Sequence, residues 1–436
     1  MPFTNQSPRA VFGRDLIAGV VVFLVALPLC LGIAHASGAP LMSGLISGIV
    51  GGLVVGSLSG SHVSVSGPAA GLAAIIAAQL QVLTFEQFLV AVMIAGALQI
   101  AFGLWRAGGL ANYFPNSVIK GLLVAIGVLL ILKQLPHLVG YDRDDEGEMQ
   151  YAQVDGESTF GALWSAYENL LPGAALVGIV SIVLLLVWEN TRLKKLVVPG
   201  ALVAVVVGTV LSEILSASGS ALGIESSHLV QLKVLGSEGT GVRDLLRFPA
   251  FGEVFSLDPS PLRDVLIAGV TLAVVASLET LLNLEATNKL DPLRRNAPPN
   301  RELIAQGFGN LVAGAIGGLP LTSVIVRSSV NVNAGGKTRV SAIVHGVLLL
   351  LSVVALAQLI NCIPLSALAA VLVLTGWKLA TPRTFVQMWK DGMNQFLPFT
   401  VTVLAIVFTD LLIGVLIGLG VSATFVLVRN LHGGFQ

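Results

Sequence analysis

The chain has 436 residues, of which 55% are hydrophobic and only 11% charged, with a mean hydropathy of +0.87. Soluble domains carry about 25% charged residues, so this composition describes one polytopic membrane domain and leaves no room for a soluble one. The basic and acidic residues number 24 each, and a net charge of zero excludes a strongly basic nucleic-acid binder.

Residues 1–14 are short and polar with no cleavable leader pattern, so the first span serves as its own insertion signal. Apolar segments of spanning length fall near 15–36, 41–59, 85–105, 115–139, 171–190, 197–216, 262–286, 341–360, 363–380, 396–412 and 413–429. Three weaker segments complete the set: an Ala-rich one at 67–80, an amphipathic one at 301–316, and one at 321–332 after Pro320. The expected fold is an all-α membrane protein of fourteen segments, two of them half-length.

Basic residues set the orientation. With Arg9 and Arg14 cytoplasmic, Arg106, the Arg192–Lys195 turn, Lys337, Lys378, Arg383, Lys390 and Arg429 all fall on the same side. The acidic loop Tyr141–Glu157 and the loop 217–261 fall outside. Both termini are then cytoplasmic. Trp105, Trp377 and Trp389 lie near span ends, where interfacial anchors belong.

Ile17-Ala18-Gly19-Val20 recurs as Ile267-Ala268-Gly269-Val270, an offset of 250. Pro115 and Ser117 with Val124 and Gly127 match Pro364 and Ser366 with Val373 and Gly376 at 249. Gly67-Pro68 and Leu319-Pro320 stand 252 apart. The halves are therefore residues 15–216 and 262–429, joined by the loop 217–261, with 430–436 as the C-terminal end. Seven spans per half is an odd number, so the second half runs opposite to the first. The two broken elements then meet near the midplane.

The first break is Ser66-Gly67-Pro68-Ala69-Ala70-Gly71, and the second runs Gly317-Gly318-Leu319-Pro320-Leu321-Thr322-Ser323-Val324. Half-helix starts offer free N–H groups and a positive dipole end, which together suit an anion. Thr322 and Ser323 carry hydroxyls, while Ala69, Ala70 and Gly71 permit close backbone approach. Arg327 sits one turn further in. A guanidinium in a membrane needs an anion, a water path or a carboxylate. Glu279 is such a carboxylate, about 25 Å along the span that begins at 262, and it reads either as a coupling group or as the strut of Arg327. Its repeat counterpart is Leu29, beside Pro28, so one half supplies a proline break and the other a charge. Cys30 and Cys362 lack metal-ligand spacing, and neither His62 nor His345 reads as a ligand. No zinc spacing, nucleophile elbow or phosphate loop is present, so an enzyme is not expected.

These features resemble the sulfate permease (SulP) family of anion transporters. The matching pieces are Asp15-Leu16-Ile17-Ala18-Gly19 with Ala26-Leu27-Pro28, Ser66-Gly67-Pro68, Ser277-Leu278-Glu279-Thr280-Leu281, and Gly309-Asn310-Leu311 through Pro320. The most specific is Arg327-x-x-Val330-Asn331-x-Asn333-Ala334-Gly335-Gly336-Lys337-Thr338. The resemblance covers nearly the whole chain. It implies a core domain moving against a gate domain in an elevator-like cycle, and a homodimer in the bacterial inner membrane. It places the substrate among Gly67, Pro68, Ala69, Ala70, Leu321, Thr322, Ser323, Val324 and Arg327, with Leu29 and Cys30 of the first span closing the site. Glu279, with Thr280 and Asn283 on the same helix, forms the implied cation-coupling set.

Two departures stand out. Family members have threonine where this chain has Ala69, and they usually continue into a cytoplasmic STAS domain, whereas this sequence ends at Gln436. The Leu27–Ala34 version of the first span resembles a bacterial branch associated with carbonic anhydrase, which points to bicarbonate, with Na+ as the coupling ion and no other cofactor. The alternatives left open are a proton-coupled sulfate or dicarboxylate transporter, an anion channel or exchanger, and a nucleobase symporter.

Overall fold

In hydrocarbon every backbone N–H and C=O needs a partner inside the protein, so apolar segments of this length close their hydrogen bonds as helices. The computed structural model describes residues 8–109, 115–141, 159–195, 199–218, 222–232, 241–255, 260–409 and 411–433. The first half contains α1 (Pro8–Ala36), α2 (Leu41–Val50, prolonged through a π turn at Gly51–Val55 to Leu58) and strand β1 (Ser66–Pro68). It continues with α3 (Ala70–Leu80), α4 (Phe85–Leu104), α5 (Asn116–Leu138), α6 (Pro172–Asn190) and α7 (Gly200–Ala217). The second half contains α8 (Ser260–Leu290), α9 (Pro299–Ile316), strand β2 (Leu321–Ser323) and α10 (Ile325–Asn333). It ends with α11 (Val340–Ala355), α12 (Leu365–Leu379), α13 (Met393–Phe408) and α14 (Leu411–Gly433).

These 14 helices coincide with the expected segments, seven to each half. Among the described residues, eight stretches are long and apolar enough to cross a membrane, and shorter apolar helices include α3, α11 and α13. The polar α9 and the nine-residue α10 stand apart from both groups. Residues 1–7, the acidic loop at 142–157, Asn112 ahead of the 115–139 span and Asp410 between the last two spans lie outside the described residues.

The repeat shows in where backbones touch. A Cβ on Gly96 of α4 or on Gly307 of α9 would lie 2.6 Å from the other glycine's carbonyl oxygen. The second-repeat version pairs Gly346 of α11 with Gly52 of α2, where a Cβ on Gly52 would lie 2.6 Å from the Gly346 Cα. Gly127 of α5 meets its own counterpart, Gly376 of α12, in the same way. Small residues let helices approach this closely where no hydrophobic effect drives them together. Gly19 packs α1 onto α11, and its repeat partner Gly269 packs α8 onto α4. The first four helices of each half therefore interlock as one layer, the core. Helices α5–α7 and α12–α14 form the second, the gate, and α1 touches it through α12.

One local expectation is corrected. Pro28 does not break the first span, because α1 runs through it without interruption. A proline inside a helix removes one hydrogen bond, and here buried Val25, Ala26, Leu29 and Cys30 pack the helix on both sides of the gap.

The start of α1 is fastened at the basic end of the bundle. Buried Asp15 accepts hydrogen bonds from the N–H groups of Lys337 (2.6 Å) and Thr338 (3.1 Å) and from the Thr338 hydroxyl. Arg295 donates to the Lys337 carbonyl at 2.8 Å and to Asp291 at 2.7 Å. Burial pushes the Asp291 pKa up, but hydrogen bonds from Arg295 and from the Leu293 N–H outweigh it and leave the carboxyl below its ordinary value. A depressed native pKa contributes stability above the unfolded value of about 3.9, and that stability is lost as pH falls through the native one. Asp291→Asn should therefore melt below wild type at neutral pH, with the gap closing as pH drops under about 4. Thermal melts of purified protein across this range check it. A gap that stays constant into acid would show that the carboxylate charge is not what stabilises this end.

Candidate functional site

Two proline-containing breaks in apolar surroundings leave backbone groups that must be paired or lined by a cavity. Helix α9 stops at Gly317, whose φ of +94° suits glycine. Three residues of each half then pair as an antiparallel ladder: Ser66 with Ser323, Gly67 with Thr322 and Pro68 with Leu321. The Val324 N–H continues the pairing onto the Val65 carbonyl at 3.0 Å. The ladder is the difference from the sequence expectation of helix alone over 67–80 and 321–332. It satisfies groups that a broken helix would leave bare, and Pro68 lies at its end, where a missing N–H costs least.

The half-helices leave opposite ends of this ladder. Helix α3 begins after the extended Ala69, and α10 begins after the extended Val324, neither with a side-chain cap. Their capping residues, Ala69 and Val324, stand four ladder positions apart, roughly 13 Å. The positive ends of both dipoles therefore border the same short ladder.

Arg327 lies in the first turn of α10 and is fully buried. It reaches along the ladder toward α3: Nη2 stands 3.4 Å from the Pro68 carbonyl and 3.4 Å from Cys30 Sγ. The guanidinium packs against Gly67 with Nη1 nearest, leaving no room for a Cβ there. Among the described residues its Nε and Nη1 have no hydrogen-bond partner. Glu279 approaches the same half-helix from α8. A Cβ on Gly71 would meet its carboxyl oxygens at 2.6 and 2.8 Å. Oε2 of Glu279 is likewise unpartnered, as are the hydroxyls of Ser277 and Thr280. Among the described residues the two charges form no ion pair; they flank residues 67–71 instead. The strut between Arg327 and Glu279, one of the two readings open at the sequence level, is not made.

The remaining expected residues divide. Cys30 faces Arg327, whereas Leu29 faces a cavity of about 700 Å³ that Val326 also lines. Leu321, Thr322, Ser323, Gly67, Pro68 and Ala69 are buried, while Ala70, Val324, Glu279 and Asn283 are partly open. The Ser323 hydroxyl is engaged with that of Ser64 at 2.7 Å, and the Thr322 hydroxyl turns to the Ser323 carbonyl at 3.2 Å. Both are used inside the protein in this state. Asn283 donates to the Ser323 carbonyl at 2.6 Å, joining α8 to β2.

A second set of residues holds the ladder, and sequence reasoning gave it no role. Asn310 clamps β2 by accepting from the Leu321 N–H (2.7 Å) and donating to the Leu321 carbonyl (3.1 Å) and to Gln99 of α4 (2.6 Å). Gln306 donates to Ser66 of β1 at 2.7 Å and to Glu302 at 3.0 Å, and Glu302 accepts from Ser59 at 2.5 Å. Asn331 holds the Val63 carbonyl at 2.9 Å. Glu302, Gln306 and Asn310 recur every four residues, so they form one polar stripe on α9. That spacing was the available signal. It reads as a surface amphipathic helix, yet all three side chains are fully buried.

The arrangement can hold a small anion by helix dipoles, backbone N–H groups and an unpaired guanidinium, with a carboxylate nearby to pair with a cation. The Sulfate permease family profile matches residues 12–403. The bicarbonate transporter BicA of Picosynechococcus sp. (strain ATCC 27264 / PCC 7002 / PR-6) is 26% identical over 98% of this chain and 72% of its own. The sodium-independent sulfate anion transporter of Bos taurus is 27% identical over 95% of this chain and 69% of its own. The solved transmembrane domain of a cyanobacterial BicA superposes with a TM-score of 0.76 at 25% identity, covering 97% of this chain and 98% of that one. Sequence profile, relatives and fold converge, and the chain belongs to the sulfate permease family of anion transporters.

Proposed function

We propose that this protein takes up bicarbonate together with Na+, by an elevator-like movement of the core (α1–α4 and α8–α11) against the gate. The observation that carries the reading is Arg327, a fully buried cation with two unpartnered nitrogens beside the starts of two half-helices. A buried charge of this kind requires an anion to offset its desolvation. Glu279 supplies the second part. Its free oxygen on the far side of residues 67–71 suits a cation bound at the same time as the anion. Sodium fits bicarbonate better than a proton does, because a proton would titrate the cargo. With the basic ends of the spans inside, the protein lies in a bacterial inner membrane with cytoplasmic termini, and we expect it to be a homodimer.

The competing reading is sulfate carried with protons or without a coupling cation. It has support in the bovine relative's name and in its identity of 27%, against 26% for the bicarbonate transporter. Counterflow into proteoliposomes with labelled bicarbonate and labelled sulfate, under imposed Na+ or pH gradients, separates the two. Bicarbonate exchange accelerated by Na+ is the expected result. Exchange of sulfate alone would overturn the choice of cargo, and bicarbonate exchange indifferent to Na+ would overturn the coupling.

A further inference from the structure

The cavity of about 700 Å³ that reaches Leu29 and Val326 at its inner end runs toward the basic end of the bundle between α1, α10 and the gate helices α6 and α12. Its walls are largely aliphatic. Among the described residues, the full charges that line it are Lys378 and Glu189, both on the gate side, with Nζ and Oε1 2.7 Å apart. On the way from the site to this pair the polar side chains are Ser329 and Asn333, one turn apart on α10, and Thr375, one turn before Lys378 on α12.

The two partners are placed for different reasons. Lys378 lies in the last turn of α12, where a cation is favoured by the helix dipole. Glu189 is next to last in α6, where the same dipole disfavours a carboxylate. Both side chains are close to half exposed, and an exposed pair of this kind adds little stability. Fold stability therefore does not explain why Glu189 stands there. An anion leaving or approaching through apolar walls does. Without its carboxylate, the Lys378 ammonium at the mouth would hold a passing anion longer than the pair does.

We infer that Lys378 is a second, transient anion station on the transport path and that Glu189 competes with the anion for it, keeping its occupancy short. The inference needs only that the chain carries an anion, whichever anion that is. Glu189→Gln should lower the half-saturating anion concentration at the basic-end face by roughly three- to tenfold, and Lys378→Gln should raise it by a similar factor, both shrinking at high ionic strength. The double variant should match Lys378→Gln alone, since Glu189 acts through the lysine.

The test is tracer uptake of ³⁵S-sulfate and ¹⁴C-bicarbonate into everted and right-side-out membrane vesicles, with melting temperatures of each variant measured alongside. Opposite shifts confined to one face, with unchanged melting, support the station. Shifts in the same direction, shifts equal on both faces, or an undiminished effect of Glu189→Gln in the Lys378→Gln background overturn it. Either tracer serves. A wild type that moves sulfate and not bicarbonate overturns the cargo proposed above, while the test of Lys378 runs unchanged on sulfate.

Discussion

Arg327→Met is expected to abolish anion binding without unfolding the protein. The guanidinium is fully buried and makes only two long contacts, to Cys30 Sγ and the Pro68 carbonyl, both at 3.4 Å. Removing a buried charge that no ion pair offsets also removes its desolvation cost, so the ligand-free variant should melt at or above the wild-type temperature. Its loss lies in the bound state. A hydrogen bond to a charged group is worth about 1.5–3 kcal/mol, which corresponds to roughly 10- to 150-fold in anion affinity. Transport at subsaturating substrate should fall by at least that factor. Ligand-free melting and tracer uptake on the same preparation check both halves. A variant that fails to fold would show that Arg327 is structural, and one that still transports would remove it from the site.

Glu279→Gln is expected to stop cation-driven accumulation. The carboxylate leans on Gly71 in the first turn of α3, forms no ion pair with Arg327, and leaves Oε2 free. Glutamine keeps the shape and removes the charge that would hold Na+. Uptake driven by a Na+ gradient should drop by an order of magnitude or more, since even one charge-assisted contact is worth about 1.5–3 kcal/mol. Glu279→Asp should retain part of it. Assayed in proteoliposomes, a glutamine variant that exchanges anion at the wild-type rate but no longer responds to pH would instead assign the carboxylate to a proton. A variant that accumulates anion normally would show that coupling lies elsewhere.

The parts of the site that were legible in the sequence are those that break a rule of the membrane. Gly67-Pro68 and Leu319-Pro320 interrupt helices where water is absent, and Arg327 and Glu279 place charge where it is costly, so each announces itself. Their positions at one repeat offset then placed the two breaks together. What stayed hidden depends on direction in space. Three-residue strands have no periodicity to read, so the pairing of Ser66 to Ser323 is visible only in the fold. The stripe of Glu302, Gln306 and Asn310 has the spacing of a solvated face, and only the packing of α9 against α4 and the ladder shows that it points inward. Likewise, opposite charges at Arg327 and Glu279 suggested a pair, but residues 67–71 lie between them. The hydroxyls of Thr322 and Ser323 are plain in the sequence, whereas their partners, the Ser323 carbonyl and the Ser64 hydroxyl, are visible only in the fold.

The most direct test of an anion held between the half-helices and coupled through Glu279 is thermal stabilisation of the purified protein across an anion panel, with and without Na+. A ligand that binds only the folded state raises its melting temperature by mass action, and two ligands that favour each other's binding raise it more together than separately. Bicarbonate and Na+ should show that mutual enhancement in wild type, and it should vanish in both Arg327→Met and Glu279→Gln. Stabilisation by bicarbonate that is the same with and without Na+, or that persists in Arg327→Met, would contradict it.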